Sequence, residues 1–378
     1  MKILVSAGES SGDLYAATLV EELQRRLPEA VFFGCPGPRM AGLGVRAVID
    51  QRKLAVVGLV EVVRHIPAIY GEYRKLIAAA RADRPAVAIL TDSSGFHLRV
   101  ARGLKKLGIP VVYLVAPQAW AWRRNRVYQL KATVERLLCI FPFEEEFFRR
   151  YGVPAHYIGH PLVNLVRATA TREEFFQRHQ LDLARPLVAL LPGSRRGEIT
   201  RHLPLLQDTV RLISARIPSV QFVLGTPASL EDSFIRAALP NVQIAAGESW
   251  NLMAHADLAL LASGTVTVEA ALLGVPMATF YRVSTLTWEI GRRLVNVPFY
   301  SMVNLVAGRK IVAELIQPEA TGENLAAEAV RLLSDEATRT AMREQLGDVR
   351  RKLSTAGDPM ARAADHVLKT IRGTDTTE

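Results

Sequence analysis

The segment Leu261–Tyr281, LASGTVTVEAALLGVPMATFY, reads as strand end, glycine-containing turn, helix, turn and strand. A strand regained after one crossover helix runs parallel to the first, so this stretch commits the chain to an α/β architecture. Ser263, Gly264 and Thr265 open the helix. Its unsatisfied N–H groups and positive dipole end point at whatever lies above the strand, and a diphosphate fits there. Glu269, the only acid in the run, follows one turn later. A carboxylate so placed accepts hydrogen bonds from a ribose diol, as in dinucleotide folds. The alternative is a glycine turn followed by a solvated glutamate.

A second strand–turn–helix unit lies at Leu187–Arg196, LVALLPGSRR. Gly193 permits close backbone approach, Ser194 adds a hydroxyl, and Arg195 offers a guanidinium fork for phosphate oxygens. Two anion-binding turns in one half of the chain point to a ligand with a diphosphate.

Composition bounds the rest. A length of 378 residues favours two domains. With 49% hydrophobic and 22% charged residues the chain is a globular protein. No apolar run approaches the roughly 18 residues of a membrane span, and MKILVSAGES at the start is a first strand rather than a signal peptide. The only cysteines, Cys35 and Cys139, have no metal spacing and read as reduced, buried thiols of a cytoplasmic protein. The net charge of +10 calls for an acidic partner. Nucleic acid is the weaker candidate, since no recognition motif appears. No His/Asp/Glu cluster marks a metal site, and no cofactor is expected.

Strands and helices alternate. Lys2–Ser6, Ala86–Thr91, Val111–Val115 and Arg136–Ile140 read as strands, with helices at Gly12–Leu27, Phe96–Leu107 and Phe143–Tyr151. After Gly159-His160-Pro161 the order restarts with strands at Leu187–Leu191, Gln221–Leu224, Val242–Ala245, Leu258–Leu261 and Pro276–Phe280. Two Rossmann-like domains facing across a cleft are expected, with ligands at the carboxyl ends of the strands. The first spans residues 1–165 plus a returning helix at about 355–372, and the second spans 166–354.

The ordered segments AGESSGD (Ala7–Asp13), APQAWAWRRNRV (Ala116–Val127), FPFE (Phe141–Glu144), LPGSRRGEI (Leu191–Ile199), SGTVTVEA (Ser263–Ala270) and NLVAGRKIVAELIQ (Asn304–Gln317) resemble the lipid-A-disaccharide synthase family from end to end. The resemblance implies an inverting, metal-free GT-B glycosyltransferase. Its substrates are UDP-2,3-diacylglucosamine and 2,3-diacylglucosamine 1-phosphate (lipid X). It assigns the second domain to the UDP-sugar and the first to the acceptor and membrane. It also implies donor roles for Asn304, Arg309 and Gln317, for which a turn residue and a surface charge are the plain alternatives at Asn304 and Arg309. Arg195 and the Ser263–Thr265 turn would stabilise the departing UDP.

The acceptor hydroxyl needs a base, and Asp92 sits directly after an apolar strand. It matches the first Asp of the family's D-x-P-D-F-N pattern. Here the segment reads Asp92-Ser93-Ser94-Gly95-Phe96-His97, so the Pro, the second Asp and the Asn are replaced. His97 is a candidate polar partner, and a helix N-cap is the alternative role for Asp92. Gly8, Glu9, Ser10 and Ser11 open the first helix and suit the acceptor's sugar or phosphate, or are an ordinary helix start. Arg123 and Arg126 suit the acceptor phosphate, although Trp120 and Trp122 beside them fit core packing equally well.

Acylated substrates imply a membrane surface. Val56, Val57, Leu59, Val60, Val63, Ile66 and Ile69 form an apolar set flanked by Arg52, Lys53, Arg64, Arg74 and Lys75. This suits peripheral attachment to the anionic cytoplasmic face of a Gram-negative inner membrane, or else a buried helix. Pro67 is expected to break that helix. A homodimer is left open. So are another UDP-sugar enzyme of the same fold and a non-catalytic nucleotide-sugar- or lipid-binding paralogue.

Overall fold

The computed structural model describes residues 1–54, 59–122, 124–295 and 297–373, with the backbone alone at 59–66, 286, 290, 293 and 294. The chain forms two compact units, Met1–Pro161 with Leu353–Glu378, and Leu162–Lys352.

The first unit holds β1 (Lys2–Ala7), β2 (Val31–Cys35), β3 (Arg46–Ala47), β4 (Val87–Thr91), β5 (Val111–Leu114), β6 (Arg136–Cys139) and β7 (Ala155–Tyr157). They form one parallel sheet in the order β3-β2-β1-β4-β5-β6-β7. The central strands β4, β5 and β6 are buried at every residue. That is why they read as unbroken apolar runs, since both faces of a parallel sheet are covered by helices. Each fully buried Val, Leu or Ile contributes roughly 1.5–3 kcal/mol by leaving water.

The second unit repeats the plan with β8 (Leu187–Leu191), β9 (Gln221–Thr226), β10 (Gln243–Ala246), β11 (Leu258–Ala262), β12 (Met277–Tyr281) and β13 (Ala313–Ile316). The order is β10-β9-β8-β11-β12-β13, again parallel. In each sheet the connection reverses direction once, between β1 and β4 and between β8 and β11. Loops leaving those two strands part to opposite faces and open a crevice at their carboxyl ends.

Four strands escaped the sequence reading: β2, β3, β7 and β13. β3 is two exposed residues, and β7 is three residues long, too short to show a period. Pro67 does not break its helix, which runs continuously over Leu59–Asp83. Leu76 and Ala80 bury the later turns, and the element packs against the helix Ser94–Lys106. That packing outweighs one lost backbone hydrogen bond.

The helix Pro359–Arg372 belongs to the first unit. Asp358 caps it, accepting from Met360 N at 2.7 Å and Ala361 N at 3.0 Å, and Gly373 closes it in the left-handed region. Met360, Ala363, Ala364 and Val367 form its buried stripe, packed on the helix Ser10–Arg26. The sequence suggests a disordered tail at Gly373–Glu378; Gly373 is placed as the C-cap of this helix, and residues 374–378 lie outside the described residues. Among the described residues no helix is long and apolar enough to cross a membrane.

Candidate active site

In the first unit the two strands at the reversal bring Asp92 and the first loop together. Gly8 N donates to Asp92 Oδ1 at 2.7 Å and Glu9 N to Oδ2 at 3.0 Å. The loop can approach only because it lacks side chains there. A Cβ on Gly12 would lie 1.6 Å from Asp92 Oδ2, and one on Gly8 would lie 2.4 Å from Ser93 Cβ. Asp92 therefore does not cap the following helix; its N-cap is Ser93.

Asp92 and Ser93 both occupy the left-handed region, with φ of 52° and 34°. Such a pair of non-glycine residues is strained and persists where its surroundings hold it. Two buried side chains do so. Tyr113 Oη donates to the Asp92 carbonyl at 2.6 Å, and His97 Nδ1 lies 3.2 Å from the same oxygen. A carbonyl only accepts, so Nδ1 carries the ring hydrogen and Nε2 accepts from Ser6 Oγ at 2.7 Å. His97 is thus the polar partner of the segment, acting on the main chain of Asp92. Burial holds its pKa down, at about 4, so the ring stays neutral.

Burial pushes the Asp92 carboxyl up to about 8, against the opposing pull of the two backbone N–H groups. Its side chain remains 14% exposed, so the carboxyl is within reach of solvent. Arg126 comes to the same turn: its Nη1 donates to Ser94 Oγ at 2.5 Å, and its guanidinium lies 5.4 Å from the centre of the Trp122 ring. Glu9, Ser10 and Ser11 are exposed at the helix start. Arg123, Val56 and Val57 lie outside the described residues, as do the side chains of Leu59, Val60, Val63 and Ile66. Ile69 is half-buried, packed against the core of the first unit.

Glu144, quoted only as part of a motif, is buried beneath the β5 and β6 loops. It accepts from Trp120 Nε1 at 3.0 Å and Phe141 N at 3.2 Å, and burial pushes its pKa up to about 8. Trp120 is therefore a structural neighbour of the site. His160 is buried between the rings of Tyr15 and Phe141, and burial lowers its pKa to about 3.

In the second unit the turns after β8 and β11 share the other reversal point. Gly193 has φ of 123°, and a Cβ there would lie 2.2 Å from Glu198 Oε2. Ser194 N donates to the same oxygen at 3.1 Å. Glu198 thus folds back over its own helix start, which the sequence reading did not foresee. Ser194 and Arg195 are exposed, as are Gly264 and Thr265 across the reversal. Ser263 N pairs with Phe280 O at 2.9 Å, and its hydroxyl donates to Tyr300 O at 3.2 Å. Glu269 accepts from Trp250 Nε1 at 2.8 Å, and burial raises its pKa.

Of the three expected donor residues in the last motif, Asn304 and Gln317 are engaged within the unit and Arg309 lies at the other edge of the sheet. Asn304 is fully buried, and its amide is occupied internally. Oδ1 accepts from Ile311 N at 2.8 Å and Val312 N at 3.0 Å, while Nδ2 donates to Val312 O at 3.0 Å and Glu314 Oε1 at 2.8 Å. It shapes the turn into β13. Arg309 precedes β13 and so lies at the amino ends of the parallel strands, opposite the turns that follow β8 and β11. It lines a groove with Gln345, Asp348 and Lys352. Gln317 is at the carboxyl edge, but its amide holds the main chain of Val283, accepting from N at 2.7 Å and donating to O at 3.4 Å. Of the three, only Arg309 is kept from the carboxyl edge by the direction of its strand. Among the described residues no three His, Cys, Asp or Glu side chains converge as metal ligands.

Comparison with known proteins fits this geometry. The family model described as lipid-A-disaccharide synthetase matches residues 3–368. The lipid-A-disaccharide synthase of Solibacter usitatus (strain Ellin6076) is 58% identical over 374 residues, covering 98% of each chain. Among solved structures, the UDP-GlcNAc 2-epimerase of Neisseria meningitidis bound to UDP-GlcNAc superposes with a TM-score of 0.64 at 13% identity, over 99% of this chain and 100% of that one. A calicheamicin glycosyltransferase does so at 0.63 and 16%, over 100% and 99%. At such identities these two show the fold alone, which is of the GT-B type. From its sequence and its two parallel sheets, the chain belongs to the lipid-A-disaccharide synthase family, glycosyltransferases of lipid A biosynthesis.

Proposed function

We propose that the protein condenses UDP-2,3-diacylglucosamine with 2,3-diacylglucosamine 1-phosphate, giving the β-1,6 disaccharide 1-phosphate and UDP in one inverting displacement. The observation that carries this reading is the Asp92 carboxylate, fixed by two backbone N–H groups at the reversal point of the first sheet. The first unit takes the acceptor, and the second takes the UDP-sugar.

As the acceptor's 6-hydroxyl oxygen attacks the anomeric carbon, its proton passes to the Asp92 carboxylate. The bond from that carbon to the β-phosphate oxygen breaks, and UDP leaves with the electron pair. Attack from the face opposite the leaving group inverts the centre. Arg195 and the helix start at Ser263–Thr265, through the N–H groups of Gly264 and Thr265, meet the charge that grows on the diphosphate. Gly193 and Ser194 set the backbone turn beside it. Trp250 holds one oxygen of Glu269, which directs the carboxylate to the ribose diol. Arg126, anchored on Ser94 beside Asp92, receives the acceptor phosphate, with the Gly8–Ser11 loop on its sugar.

Both substrates carry acyl chains, which favours peripheral attachment to the cytoplasmic face of the inner membrane, helped by the positive net charge. A different UDP-sugar reaction on the same fold is disfavoured by family membership. A non-catalytic paralogue is disfavoured by the strained, fully braced Asp92 turn.

The test is to incubate the pure protein with both substrates in detergent and look for the disaccharide phosphate and UDP. Their appearance is expected. Binding of UDP without product would leave a nucleotide-sugar-binding protein and sink the transferase reading.

A further inference from the structure

His202 lies in the helix Arg196–Arg216, beneath the turn that follows β8. It is fully buried, edge-on to Phe280 and Tyr281, with ring centroids 5.2 and 5.4 Å apart. Nδ1 lies 2.7 Å from Pro192 O, and Nε2 lies 3.0 Å from Arg282 N. The first partner only accepts and the second only donates. The ring is therefore neutral, with its hydrogen on Nδ1. An imidazolium would set N–H against N–H at Arg282. Burial lowers the pKa of this ring and favours the same form.

The two main-chain groups belong to exits that the sheet does not join. Pro192 begins the glycine turn after β8, Arg282 leaves β12, and β11 lies between them. Gln317 extends the tie by holding Val283, the next residue, from the end of β13. A leucine would fill much of the same space but pair with neither group, leaving a buried N–H and a buried carbonyl unmatched.

We propose that His202 is the positioning residue of the donor site: it locks the Pro192–Arg195 turn to the β12 exit and so presets the groups that meet the diphosphate. This rests on the second unit binding the UDP-sugar.

The measurement is UDP binding by calorimetry to the full chain, wild type against His202→Leu and His202→Asn, with thermal melts alongside. Asparagine retains an amide donor towards Pro192 O and cannot reach Arg282 N. We expect the dissociation constant to rise roughly tenfold or more with leucine and less with asparagine. Donor KM should follow, and kcat should fall with it, because the same turn carries Arg195. A folded leucine variant that binds UDP like wild type overturns the proposal. Should leucine fail to fold, wild-type affinity in the asparagine variant overturns it equally. If the wild type itself does not bind UDP, the donor reading falls and the proposal with it, and the separate wild-type measurement identifies that as the cause.

Discussion

The chemistry at Asp92 is set by four residues that touch its main chain or carboxylate. Gly8 and Glu9 orient the oxygens, while Tyr113 and His97 hold the carbonyl of the strained turn. Burial then raises the carboxyl to about 8. A base works in its ionised form, so kcat/KM should climb with pH and level above about 8. Asp92→Asn should abolish that limb and lower kcat by roughly 100-fold or more. A pH profile of both proteins checks this, and an unchanged limb in the variant would assign the titration to another group. Stability should move the other way. A pKa raised on folding means the folded state holds the proton longer, so stability present below the unfolded carboxyl's range is lost as pH rises through about 8. Asp92, as the acid after an apolar strand, and His97, as a candidate polar partner, were legible in the residues alone; that Gly8, Glu9 and Tyr113 would also hold Asp92, and that His97 would act on its main chain, was not.

At the scale of elements, what the sequence displayed was burial. β4, β8 and β11 are covered on both faces and appear as continuous apolar runs, whereas β3 and β7 are short edge strands and left no pattern. At Asp358-Pro359 a short polar side chain before a proline caps the terminal helix. Removing that cap with Asp358→Ala should lower unfolding free energy by about 1 kcal/mol, read by urea denaturation. The loss would be larger if the terminal helix detached from the helix Ser10–Arg26 as a unit, and a flattened denaturant slope would reveal it. Both units solve one problem in the same way. A buried, neutral histidine, His97 in the first and His202 in the second, donates to the carbonyl of a strand-end residue and so holds the loop that follows. Each ring lies on the buried stripe of its own helix, but the carbonyl it holds lies on a loop that has no pattern of its own.

For the whole molecule the +10 charge is the property that acts at a distance. Sedimentation with vesicles rich in phosphatidylglycerol should carry the protein down at low salt, with binding falling as ionic strength rises. Equal binding to neutral vesicles would show that apolar contacts, not charge, hold it there. Family, fold class and the two glycine turns were all determined by the sequence itself, because parallel strands, glycine turns and helix starts are local and leave local signatures. Which turns meet was decided by tertiary structure. Strand order places β1 beside β4 and β8 beside β11, and so brings Asp92 to Gly8 and the Pro192–Arg195 turn to Ser263–Thr265. Strand direction likewise sends Arg309 to the far edge although it lies a few residues from Gln317. Sheet order depends on how all the strands and helices bury their faces together, a property of the assembled core that no single stretch of residues carries.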